Sequence, residues 1–314
     1  MLHLDEIEMR KIYSDTLSEC MQKNPLIIDL EADLMSSMLM HKIQQKRPNQ
    51  VINCGIMEAN AIGMAAGLSI AGHIPFFHTF TAFASRRCLD QLFMSIDYQQ
   101  SNVKVIASDA GITAVHNGGT HMSFEDMGLV RGLANSIVLE ITDGVMMKDI
   151  ITQLTNLTGF YWVRTIRKQA FKIYHEGEHF TIGKAKILRD GNDITLISNG
   201  IMVAESLKAA QILAEKGIDA TVVDMFTLKP LDKECIISCA KRTGKIITCE
   251  NHSIHNGLGS AVAEVLVENY PVPMRRVGIK ERYGQVGTLD FLMKEYELTA
   301  EDIVKQATQL CGYS

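Results

Sequence analysis

Three short stretches of this chain carry residues that could grip a flat heterocycle or touch it with a carboxylate or an imidazole. The first is Val51-Ile-Asn-Cys-Gly-Ile-Met-Glu-Ala-Asn60, a buried strand ending at Gly55 with Glu58 in the helix start that follows. A carboxylate there lies at the C-terminal edge of a parallel sheet, where ligand crevices form in α/β proteins. The same position equally suits an ordinary first-turn Glu favoured by the helix dipole. The second is Pro75-Phe-Phe-His-Thr-Phe-Thr-Ala-Phe-Ala-Ser-Arg-Arg87, where Phe80 and Phe83 are three apart. On a helical turn they share a face and could grip a ring, although aromatics at that spacing also serve as plain core. The third is the loop His116-Asn-Gly-Gly-Thr-His121. Its two glycines let backbone approach a ligand, and His121 is placed to touch it. The two histidines have no third ligand nearby in sequence, so no metal site is expected in this chain.

The elements that must position these residues read as α/β throughout. Candidate strands are 26–30, 51–54, 74–77, 103–108, 137–141 and 160–164, separated by helical patterns at 8–23, 57–69, 83–98, 124–133 and 145–157. A polar stretch at 168–192 reads as linker and entry strand. Alternation then resumes with strands at 194–198, 221–224 and 245–250 and helices at 203–216, 232–242 and 258–270, Gly217 closing its helix. The expected fold is two doubly wound, mainly parallel α/β domains, residues 1–175 and 176–314.

Composition excludes several function classes. The hydrophobic fraction is 46%, the charged fraction 21% and the net charge −5, so nucleic acid and anionic membrane surfaces are not expected partners. Any anion site must come from a few local Arg and Lys residues. Seven Cys stand without a paired framework; Cys235 and Cys239 are four apart on a helix with no second pair at zinc spacing. Reduced thiols, an acidic N-terminus without an apolar leader and no long apolar run give a cytoplasmic protein as the expectation.

Asn53 through Arg131 resembles, in order and spacing, the pyrimidine-binding domain of the transketolase family. Residues 183–314, with Phe226-Thr-Leu-Lys-Pro-Leu-Asp232 and Glu250-Asn-His252, look like its C-terminal domain. The resemblance implies thiamine diphosphate as cofactor and ketol transfer from a ketose to an aldose as the reaction. It gives Glu58 the hydrogen bond to the aminopyrimidine ring, which sets the tautomer that deprotonates the thiazolium carbon. It gives Phe80 and Phe83 the pocket around that ring, with Arg86 following and Asp33 of Glu31-Ala-Asp-Leu34 close to the cofactor. By the same likeness Arg10, Ser37 and Arg167 hold the sugar phosphate, where an Arg fork suits phosphate oxygens, and His121 stands in the substrate channel.

Two positions depart from the family pattern: Asp109 stands where many relatives have His, and Asn117 where they have Asp. The first sets an anion near the expected substrate phosphate, and the second removes a carboxylate acceptor for a substrate hydroxyl. A modified ketose, or one with another anionic group, is therefore expected. The Gly-Asp-Gly…Asn motif that holds Mg2+ or another divalent ion with the diphosphate is not found. Asp190-Gly-Asn192 reads as a turn, and Asn256-Gly-Leu-Gly259 as a lone glycine-rich helix start. The resemblance implies that an N-terminal transketolase subunit supplies that half and most of the ion's ligands, with two copies of each chain and sugars as substrates. Alternatives are the beta-type subunit of a 2-oxoacid decarboxylase-dehydrogenase, a deoxyxylulose-phosphate-synthase-like activity, and a non-catalytic scaffold subunit.

Overall fold

The computed structural model describes residues 2–312. Its first six strands are β1 (Ile27–Glu31), β2 (Val51–Asn53), β3 (Ile74–Phe80), β4 (Lys104–Ser108), β5 (Ile137–Glu140) and β6 (Tyr161–Arg164). These runs of Val, Ile and aromatic residues are buried almost throughout, as strands covered on both faces must be. The other six are β7 (Lys186–Arg189), β8 (Ile194–Ser198), β9 (Ala220–Asp224), β10 (Thr227–Lys229), β11 (Ile246–Ser253) and β12 (Met274–Ile279). They form a seven-stranded sheet ordered β10-β5-β6-β4-β3-β1-β2 and a five-stranded sheet ordered β12-β11-β8-β9-β7. Pairing is parallel except for β10 on β5 and β7 on β9. The expected plan of two mainly parallel α/β sheets is present.

Three strands differ from the expectation, each for a physical reason. Strand β3 continues past Phe77 to Phe80 because the polar His78 is buried and paired with Glu31, its register partner on β1. Strand β12 reads as polar because it is an edge strand carrying Arg275, which donates to Gln306 and Gln309, and Arg276, which donates to the carbonyl of Ile254. Strand β10 is three residues long and returns a C-terminal segment to the first sheet, so the sheets do not follow chain order.

The helix expected at 83–98 is interrupted. It forms as Thr81–Arg86, breaks where Cys88 leaves helical backbone with φ −120°, and resumes as Leu89–Gln91 and a π-helical turn Leu92–Asp97. The polar stretch after β6 is tied down. Backbone N–H groups of Ile173 and Tyr174 donate to Asp143, which also caps the helix Gly144–Leu154 through Met146 N. Core packing on one face of the large sheet, with Phe77, Val105 and Trp162, continues into Ile197, Val223 and Val262 of the second unit. The opposite face packs on the helix Met9–Lys23 through Met9, Tyr13 and Leu17.

Candidate active site

Strands β1, β2, β3, β4 and β6 run parallel, so the segments leaving their C-terminal ends gather along one edge. Asp33 follows β1, Glu58 follows β2, Phe80 ends β3, Asp109 follows β4 and Arg167 follows β6. Side chains far apart in sequence thereby become neighbours, the usual consequence of this topology.

At one end lies an aromatic and carboxylate cluster. Glu58 is the first residue of the helix Glu58–Ile70 and is buried. Arg87 donates to its Oε1 at 2.6 Å, leaving Oε2 without a protein hydrogen-bond partner among the described residues. The Arg87 guanidinium sits 4.2 Å from the Phe83 ring centre. Phe83 lies 5.9 Å from Phe80 and meets His121 edge-on at 5.0 Å. Thr120 Oγ1 shares a hydrogen bond of 2.9 Å with His121 Nδ1.

Arg86 lies against the loop after Gly118. Its guanidinium donates to the carbonyls of Thr120 and Met122 and to Glu125 at 2.7 Å. It therefore braces the loop that carries His121, while its neighbour Arg87 reaches Glu58. Nothing in the spacing distinguished the two adjacent arginines. Only the turn of backbone at the end of the helix Thr81–Arg86 separates their directions.

At the other end lie the charged residues. Arg167 stacks over Phe80 at 4.9 Å and pairs through Nε with Asp109 Oδ2 at 2.7 Å. Phe80 thus belongs to both ends. Arg10 N donates to Arg167 O at 3.1 Å, so the two arginines are backbone neighbours. Arg10 Nη1 reaches the main-chain carbonyl of Ser37 at 3.4 Å, and Arg10 Nε pairs with Glu8 at 2.6 Å. Glu8 also receives Lys168 at 3.0 Å. Asp109 adopts φ +55°, rare for a residue with a Cβ, and burial raises its carboxyl above the usual value while Arg167 works against that shift.

The remaining two candidates flank these groups. Asp33, at φ +59°, exchanges hydrogen bonds of 3.1 and 3.0 Å with Asn53, which also accepts from Gly55 N. Asn53 therefore joins the loops after β1 and β2. Asn117 is exposed at the end of the 3₁₀ segment Gly111–Asn117, just before Gly118 at φ +72°.

The site has a buried floor that sequence reading missed. His78 Nδ1 is 2.7 Å from Glu31 Oε2, and its Nε2 is 2.9 Å from Ser108 Oγ. Burial holds the His78 imidazole neutral, its pKa pushed down to about 3, and raises Glu31 well above the carboxylate range. Thr81 Oγ1 donates to Ser108 O at 2.7 Å, fixing the end of β4 from which Asp109 turns. Asp29 and Glu31 alternating along β1, and His78 inside the apolar run of β3, are the signal that could have found this layer.

Among the described residues, no group of three or more His, Cys, Asp or Glu is gathered to hold a metal ion. No helix among them is long and apolar enough to cross a membrane.

Comparison with known proteins agrees with this architecture. Residues 5–169 match the transketolase pyrimidine binding domain and residues 183–303 match the transketolase C-terminal domain. The chain is 45% identical to the 6-deoxy-6-sulfo-D-fructose transketolase subunit of Clostridium sp. (strain MSTE9), covering 98% of this chain and 95% of that one. It is 34% identical to one subunit of the apulose-4-phosphate transketolase of Phocaeicola vulgatus, over 96% and 97% of the two chains. A solved structure described as a split gene transketolase, inactive beta4 tetramer, superposes with a TM-score of 0.91 at 38% identity, covering 97% of this chain and 98% of that one. The chain belongs to the transketolase family, as a subunit of the two-chain form of that enzyme.

Proposed function

We propose that this chain supplies the pyrimidine-binding half of a thiamine-diphosphate-dependent transketolase and that an N-terminal subunit supplies the diphosphate half. In this reading the partner also holds most of the ligands to a divalent ion, and two copies of each chain assemble. The observation that carries it is the single cluster of Glu58, Phe80, Phe83 and His121 beside an arginine-lined end. The residues fit the cofactor: a buried carboxylate keeps one oxygen without a protein partner beside two aromatic faces. The exposed apolar residues Ile56, Met57, Phe93, Met94 and Tyr98 suit a surface covered by a second chain.

Thiamine diphosphate, when bound, supplies the carbanion-stabilising centre that carries a two-carbon unit. The roles proposed for this chain's side chains are those the family resemblance implies, and their placement suits them. Glu58 holds a proton at the aminopyrimidine nitrogen, and Phe80 and Phe83 flank the ring and exclude water. Asp33 lies close to the cofactor, and Arg86 keeps the loop after Gly118 in place. His121 orients a substrate hydroxyl and moves its proton. Asn117 offers an amide where a carboxylate is usual, so it can donate as well as accept. Arg10, Ser37, Asp109 and Arg167 form the end that receives the anionic group of the sugar.

The donor we infer is a ketose with an anionic group on its terminal carbon. The relative from Clostridium acts, by its name, on 6-deoxy-6-sulfo-D-fructose, and that sugar is the first donor to try. The test is reconstitution with the partner chain that carries the Gly-Asp-Gly motif, followed by two-carbon transfer from a panel of anionic ketoses to an aldose phosphate. Transfer that needs both chains supports the reading. Carbon dioxide released from pyruvate would instead favour the synthase-like alternative, and complex formation without any turnover would favour a scaffold.

A further inference from the structure

Five charged side chains surround the end of the site that faces the sugar's anionic group. Asp109 and Glu8 are the two carboxylates; Arg167, Arg10 and Lys168 are the three cations. Each arginine already has a carboxylate partner within 2.7 Å, and Lys168 shares Glu8. The groups facing Asp109 are Arg167, Lys168 and, from β3, His78; those facing Glu8 are Arg10 and Lys168. Three cations against two carboxylates leave one net positive charge.

We propose that Asp109 and Glu8 set this charge so that the enzyme selects a singly charged anionic headgroup, sulfonate in chemistry, over a doubly charged phosphate. A sulfonate carries one negative charge at every pH of interest, whereas a phosphate monoester carries about −1.5 to −2 near neutrality because its second pKa is ~6. A dianion entering this end lies against two carboxylates with only one excess cation to balance it. At short range, where solvent is excluded, an uncompensated unit charge is costly. Asp109 is the stronger determinant because it is buried, whereas Glu8 is partly exposed and screened. The left-handed turn at Asp109, pinned by Ser108 to His78 and Thr81, points its carboxylate at Arg167. The two residues act on specificity through the arginines, as positioning and charge-setting groups.

The inference rests on the transketolase reading above, and the two fail differently. The reconstituted two-chain complex is assayed with 6-deoxy-6-sulfo-D-fructose and with fructose 6-phosphate, at pH 5.5 to 8. The wild-type complex should show the higher kcat/KM with the sulfonate. Its preference should narrow as pH falls through ~6 and the phosphate becomes a monoanion. Asp109→Asn keeps the shape and removes the charge, and should lower the sulfonate-to-phosphate ratio ~10-fold or more, mainly through KM for the phosphate. Glu8→Gln, whose side chain lies at the surface, should move the ratio the same way by a few-fold and keeps the test open should Asp109→Asn fold poorly.

A wild-type preference for phosphate that holds across the pH range would overturn the inference. So would a ratio unmoved in both variants, and either result leaves the transketolase reading intact. Turnover of neither ketose, with the complex formed and cofactor bound, removes the donor assignment and the inference together.

Discussion

Two arginine–carboxylate clusters in this chain use the same chemistry at opposite burial. At the sheet edge, Arg87 pairs with Glu58 and is 47% exposed. Behind it, Arg164 at the end of β6 is fully buried, with Nε 2.9 Å from Asp126, Nη1 2.5 Å from Glu140 and Nη2 2.6 Å from the carbonyl of Asn251. Asn251 belongs to β11; its Oδ1 accepts from Ile112 N and its Nδ2 donates to Ala110 O, so Arg164 and Asn251 together tie the second sheet to the loop after β4. A buried ion that has lost its partner cannot recover the loss from water, whereas an exposed guanidinium can. The mouth pair is free to exchange partners with a ligand, and the inner cluster is a lock.

The largest effect expected at the mouth is on chemistry alone. Glu58→Gln should lower turnover of the two-chain complex by ~10²–10⁴-fold, the range for loss of a positioned acid or base. Complex formation and the unfolding midpoint of this chain should hold. A fall in stability comparable to that at Arg164 would erase the contrast between the two clusters.

At the lock the expectation reverses. Arg164→Leu leaves Asp126 and Glu140 buried side by side without a cation, and removal of one partner from a buried pair costs ~3–5 kcal/mol. Urea unfolding should show this as a lower midpoint before any activity is measured. A variant within ~1 kcal/mol of wild type would mean that the two carboxylates take up protons with little loss.

Much of this was legible in the chain before its fold. The parallel strands, the helix starting at Glu58 and the glycine loop before His121 follow from periodicity and from residues with one dominant use. The family likeness brought Arg10, Arg167 and Asp109 into view, but their pairing depends on backbone brought together from positions 58 and 157 residues apart. Arg164, Glu31 and His78 were hidden for the opposite reason. Each is a polar residue in an apolar run, and a pattern read one strand at a time has no way to show that its partner is buried on the next. Strand β10 was hidden because three residues carry no period.

Glu250 offers a weaker test of the lock's surroundings, through pH. Its carboxylate accepts the N–H groups of Leu258 and Gly259 at the start of the helix Leu258–Asn269, yet burial outweighs those bonds and pushes its pKa up to about 8. A carboxyl that is raised on folding binds its proton more firmly in the native state. Stability should therefore fall as pH rises from the unfolded value near 4.5 towards about 8. Glu250→Gln should flatten that stretch of the curve, measured by urea midpoints at pH 5, 6, 7 and 8. An unchanged slope would assign the pH dependence to Asp224, which burial also raises, to about 7.

The smallest effect on function is expected at Arg87, and it sharpens the contrast most. Arg87→Ala removes one charged partner from Glu58 and the cation stacked on Phe83. The guanidinium is half in water, but Glu58 is buried and is left without a protein hydrogen-bond partner among the described residues, so the folded chain should lose ~1–3 kcal/mol, less than at Arg164. Thiamine diphosphate binding by the complex should weaken by a few-fold, since Glu58 and Phe83 lose the side chain that orders them. Arg87→Lys should recover the charge but not the flat stack on the ring, and so restore binding only in part. A cofactor titration by fluorescence, set beside urea unfolding of the same variants, reads both quantities. Weakened binding with a stability loss well short of that in Arg164→Leu keeps Arg87 at the exchangeable mouth, whereas a loss of ~3–5 kcal/mol would make it a second lock.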